Sequence, residues 1–109
     1  MINFAAMIVA IVEALPNSKA GNHISNQLIR SGTSPAPNYG EAQSAESRKD
    51  FIHKMKISLK ELRETMVWLK IIARTGLTSC DKTQKVLAEC NELIAIFVSS
   101  TKTADANSK

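Results

Sequence analysis

Apolar residues recur along this chain at helical spacing, and the breaks in that rhythm divide it into four segments. Phe4, Ile8, Ile11 and Leu15 stand four, three and four residues apart, which places them on one face of a first helix over roughly residues 2–15, widened by Ala5 and Val12. Pro16 ends that helix, because the residue before a proline is steered away from helical angles. Asn17 and Ser18 are candidate N-caps for a second helix carrying Ile24, Leu28 and Ile29. This helix meets Ser34-Pro35-Ala36-Pro37. Each proline removes a backbone donor and crowds the preceding turn, so the pair predicts a sharp kink or a short irregular joint before Asn38-Tyr39-Gly40-Glu41-Ala42.

The third segment, roughly residues 47–75, carries the longest pattern. Ile52, Met55, Leu59, Leu62, Met66, Leu69 and Ala73 keep alternating spacings of three and four without a break, a heptad stripe of the kind that packs in bundles. Ile57, Trp68, Ile71 and Ile72 lie beside the stripe and give this helix a second apolar group, hence more than one neighbour. Gly76 suits the position after the helix, and Arg74 in the last turn favours the helix dipole. Thr78 with Asp81 resembles a capping box that opens a fourth helix of roughly residues 79–100, whose inner face is Val86, Leu87, Cys90, Leu93, Ile94 and Phe97. Short connections favour antiparallel neighbours, so the pattern predicts an all-α, up-down-up-down four-helix bundle. The bundle spans residues 1–100. Residues 101–109 have no apolar face and read as a frayed or disordered tail.

Composition supports this reading. A chain of 109 residues, 44% hydrophobic and 22% charged, has the profile of one folded domain, and only four Gly and three Pro interrupt it. The apolar run Phe4–Val12 is too short to span a bilayer, and no Lys or Arg precedes it as a secretory signal would require. A cytoplasmic protein without a membrane role is the expectation. Cys80 and Cys90 would lie about 15 Å apart along one helix, beyond disulfide reach, and read as small buried thiols in a reducing compartment.

No phosphate-binding glycine loop, CxxC, HExxH or GxSxG occurs, so neither enzyme chemistry nor a cofactor is expected. His23 and His53 are the only histidines. Neither belongs to a set that would complete a tetrahedral metal site, Asp50 and Glu46 near His53 included.

Charge placement is more informative than the net charge of +4. Lys49, His53, Lys56, Lys60, Arg63, Lys70 and Arg74 keep the spacing of the apolar stripe, broken only by Val67, and form a basic ridge along the third helix. Such a ridge is a solvated face if its charges are paired, with Lys60 meeting Glu64 and Asp50 meeting Lys54 close by. It is a phosphate-contacting stripe on RNA or DNA if they are not. An acidic protein partner is a third reading.

The stretch QLIRSGTS, Asn38 followed by Glu41-Ala42, Phe51-Ile52-His53-Lys54-Met55, and LKELRET ahead of Trp68-Leu69 together resemble a known family. Its members are small four-helix bundle proteins first noticed as reading frames within intervening sequences of bacterial large-subunit ribosomal RNA genes. The resemblance covers most of the chain and implies a homo-oligomer, typically a pentameric ring, without enzymatic activity. A related branch, the accessory proteins of diversity-generating retroelements, is thought to engage nucleic acid and a reverse transcriptase. Pro37 departs from the family's usual Ala, and the first helix starts late. Within the matched motif Arg30, Ser31, Gly32, Asn38 and Glu41 are structural or assembly residues, with Arg30 and Glu41 expected near each other or near Glu61 and Glu64. A protein-interaction adaptor, whose apolar patches engage a different chain, is the alternative to self-association.

Overall fold

The computed structural model describes residues 1–107. Its helices are α1 (Ile2–Ala14), α2 (Lys19–Thr33), α3 (Pro35–Gln43), α4 (Arg48–Thr75) and α5 (Cys80–Asn107), with no strand among the described residues. α2 and α3 follow one another as a single arm, so the architecture is a four-helix bundle 49 × 19 × 19 Å in extent. Direction follows from side-chain pairs. Ser31 meets Thr65 and Glu41 meets Lys54, so the arm runs antiparallel to α4; Cys90 meets Leu62 and Arg48 meets Asn107, so α5 does too. α1 packs on α2 and α5 and lies diagonally from α4.

Local chemistry sets the ends. Ser18 and Ser47 have extended backbones, and their hydroxyls accept from the Gly21 and Asp50 amides at 3.0 Å, capping α2 and α4. Gly76 takes φ 68°, the left-handed conformation that favours glycine, and its N–H closes α4 on the Ile72 carbonyl. α5 opens at Cys80, and the Thr83 amide donates to the Ser79 carbonyl, one residue later than the Thr78–Asp81 pattern suggests.

The proline joint is tighter than expected. A single residue, Ser34, separates α2 from α3 and itself keeps right-handed helical angles, with its amide bonded to the Arg30 carbonyl and its own carbonyl accepting from Asn38. Pro35 stands at the first position of α3, where the missing donor costs little.

The core runs through Phe4, Ile8 and Ile11 of α1, Ile24 and Leu28 of α2, Met55, Leu62, Leu69 and Ile72 of α4, and Val86, Cys90 and Phe97 of α5. Two details differ from the sequence pattern. First, the buried line on α4 is Met55, Ser58, Leu62, Thr65, Leu69 and Ile72, whereas Ile52, Leu59, Met66 and Ala73 are only half-buried. The buried face is turned by about 60° from the predicted stripe, which sets Thr65 against Ser31 of α2. The buried hydroxyls are satisfied by backbone carbonyls a turn earlier, Ser58 by Lys54 and Thr65 by Glu61.

Second, residues 101–107 are not a frayed tail: α5 continues to Asn107, Thr101 is buried with its hydroxyl donated to the Phe97 carbonyl, and Arg48 bonds the Asn107 carbonyl. Residues 108–109 lie outside the described residues. The expectation for Cys80 also changes. It is exposed at the start of α5, while Cys90 is buried and bonds the Leu62 carbonyl.

Candidate functional site

All seven ridge residues face solvent on α4. From Lys49 to Arg74 they extend over about 37 Å at the helical rise. The stripe lies about 100–180° around the helix from the buried line Met55–Leu62–Leu69, with Lys56, Arg63 and Lys70 each one residue beyond that line. None of the seven takes part in an ion pair or side-chain hydrogen bond among the described residues.

Glu61 and Glu64, which could have neutralised the ridge locally, are engaged elsewhere. Glu64 pairs with Arg30 on α2 and accepts from the Trp68 indole at 3.1 Å, so it is turned toward the arm and away from Lys60. Glu61 accepts from the Asn38 amide at 2.8 Å. Lys54, beside the ridge, bonds Glu41 of α3 at 3.0 Å. That hydrogen bond, then the charges of Glu41 and Asp50, raise the Lys54 pKa above its ordinary value.

The motif residues therefore join the arm to α4. Arg30 is matched with Glu64 and Glu41 with Lys54, so Arg30 and Glu41 are not each other's partners; at eleven positions apart on one arm they stand at different levels of the bundle. Ser31 and Gly32 are buried where α2 approaches its neighbours. Ser31 shares a 3.0 Å hydrogen bond with Thr65, and a Cβ added to Gly32 would stand 2.6 Å from Ile8 Cγ2. His23 lies edge-on to Trp68 with ring centroids 5.9 Å apart, and His53 belongs to the ridge. No group of three or more His, Cys, Asp or Glu that could hold a metal ion occurs among the described residues.

Two surfaces lie outside the expectations from sequence. An open groove of about 620 Å³ runs between α4 and α5, with Met66, Val67, Leu87, Ala88 and Ile94 along it and Arg63 and Lys70 at its rim. Val67, which interrupts the ridge, is 56% exposed there. On α1, Ile2, Ala6, Val9 and Ala10 point away from the bundle, with Ile2 80% and Val9 41% exposed. The uninterrupted apolar character of α1 is the signal for this second surface, because a helix that is apolar all round has more to bury than one core face.

The family comparison bears on the whole bundle. The model of the 23S rRNA-intervening sequence protein family matches residues 1–99. The chain belongs to that family. A crystal structure of a protein of unknown function from the S23 ribosomal protein family of Bacteroides thetaiotaomicron is 36% identical, covers 93% of this chain and 94% of its own, and superposes with a TM-score of 0.85. No curated protein matches the chain. The membership agrees with the resemblance carried by QLIRSGTS and LKELRET, whose residues form the arm-to-α4 contacts above. No helix among the described residues is long and apolar enough to cross a membrane.

Proposed function

We propose that the chain is a non-enzymatic, self-assembling bundle that holds nucleic acid by its phosphate backbone, without reading sequence, along the α4 ridge. The supporting observation is the unpaired state of Lys49, His53, Lys56, Lys60, Arg63, Lys70 and Arg74 on one solvent-facing stripe. Cations already neutralised by neighbouring carboxylates would release few counterions on binding; free ones release about one for each phosphate contacted. The contacts are backbone contacts because α4 is flanked by the arm and α5, so it presents one face and not a free cylinder that could enter a groove. A cytoplasmic setting goes with such a ligand.

The outward apolar face of α1 supports self-assembly, since exposed apolar helix surface is commonly covered by a partner. Five copies is the number favoured by family resemblance. A ring would present several ridges at once and add weak contacts through multivalency. If a different protein covers the face, the chain is an adaptor, and the purified protein will be a monomer.

Fluorescence anisotropy with mixed-sequence RNA and duplex DNA at near-physiological salt tests the nucleic-acid reading. Binding independent of sequence is expected. Affinity no tighter than about 100 μM, the weak end of non-specific binding, would remove it.

A further inference from the structure

We propose that the interface between copies is heterologous: the outer face of α1 in one copy lies in the α4–α5 groove of the next. The proposal rests on the self-assembly reading and adds which surfaces meet.

The two faces match in shape and polarity. Ile2, Ala6, Val9, Ala10 and Glu13 share one exposed stripe of α1, opposite buried Phe4, Ile8 and Ile11. This stripe is convex and, apart from Glu13 and the exposed Asn3 at its margin, apolar. The α4–α5 groove is concave, and Val67, Ala88 and the half-buried Leu87 and Ile94 give it a mainly apolar lining, with Gln84 and Asn91 as its uncharged polar members. A convex apolar helix face fits an apolar groove, whereas groove against groove would set Arg63 and Lys70 against their own copies. Contact between them is therefore head-to-tail, which closes into a ring or extends as a filament.

Their charges match as well. Glu13 is the only charged residue of α1, and it is acidic and exposed. The groove's charged rim residues, Arg63 and Lys70, are both basic and both without an ion pair among the described residues. A second copy of this chain thus supplies the acid where the groove presents cations. Under this arrangement the ridge divides. Arg63 and Lys70 serve assembly, and Lys49, His53, Lys56 and Lys60, nearer the start of α4, and Arg74 at its end stay open to phosphate.

Light scattering on two single variants and their mixture tests the proposal. Val9→Glu disables the α1 face and Val67→Glu the groove; both side chains are substantially exposed, and circular dichroism melting checks that each variant stays folded. The unmodified chain is expected to be an oligomer and each variant a monomer, with at least a tenfold weaker association. Mixed together, they should form a 1:1 dimer, because each retains the surface the other lacks. Glu13→Arg should also weaken assembly, and Arg63→Glu with Lys70→Glu in the same chain should restore it. An oligomer that persists in both variants, or two monomers that do not pair on mixing, overturns this interface while leaving self-assembly standing. A monomeric unmodified chain at about 100 μM overturns both.

Discussion

Thr65 of α4 and Ser31 of α2 share a 3.0 Å hydrogen bond in the middle of the bundle, where neither side chain is reached by solvent. The pair fixes how far α4 is rotated against the arm, because the same Thr65 hydroxyl also bonds its own helix at the Glu61 carbonyl, 2.8 Å away. Thr65→Val keeps the shape, removes the shared bond and leaves the Ser31 hydroxyl without this partner. The expected cost is about 1–3 kcal/mol, the range for a buried polar group left unsatisfied. Adding Ser31→Ala should recover part of that loss, so chemical denaturation of both single variants and the double should show a non-additive cycle.

Close approach at Gly32 gives a second expectation. Its added Cβ would stand 2.6 Å and 2.8 Å from two carbons of Ile8, a side chain with no exposed surface into which it could move. Gly32→Ala should therefore destabilise the bundle by about 1–3 kcal/mol through overpacking, against the usual gain of alanine over glycine in a helix. Ile8→Ala removes both of those carbons, so Gly32→Ala should cost less in its presence than alone. A thermal melt that rises in Gly32→Ala would contradict the packing described.

The two thiols should behave differently. Cys80 is exposed, whereas burial pushes the Cys90 thiol up to about 12. A thiol reagent at pH 8 should modify one cysteine per chain quickly and the second only on unfolding.

Cys90 also predicts an alkaline limit. Its folded pKa is raised above the ordinary 9.0. The unfolded chain therefore loses this proton first, and stability falls as pH rises from about 9 towards 12, by at most about 1.4 kcal/mol per pH unit. Below pH 9 this contribution is complete. Denaturation of Cys90→Ala should show a shallower decline across that window.

The limits of the sequence pattern have a common physical origin. Ile8, Leu28, Met55, Leu62, Leu69, Val86 and Phe97 were legible because apolar residues at three- and four-residue spacing have one way to be buried. Ser58 and Thr65 were not, since a hydroxyl is tolerated inside only when a helical carbonyl accepts it and a neighbour is small; Ser31 and Gly32 were named from the family resemblance, but their neighbours, Thr65 and Ile8, are visible only once the helices are packed. Thr101 hid the end of α5 for the same reason. Spacing alone placed the ridge on one face. Its unpaired state depended on contacts across the fold, with Arg30 drawing Glu64 away from Lys60 over 34 residues of sequence. The α4–α5 groove belongs to two helices at once, so no single-helix pattern contains it.

The ridge as a phosphate-binding surface is tested most directly by the salt dependence of duplex DNA binding, comparing the unmodified chain with Lys49→Gln, Lys56→Gln and Lys60→Gln combined. These three side chains are exposed and do not line the α4–α5 groove, so fold and assembly should be unchanged by melting and light scattering. Binding to every sequence should weaken, with the slope of log K against log salt reduced by about 2.7 per chain if each lysine meets one phosphate. An unchanged affinity and slope in the triple variant would contradict it.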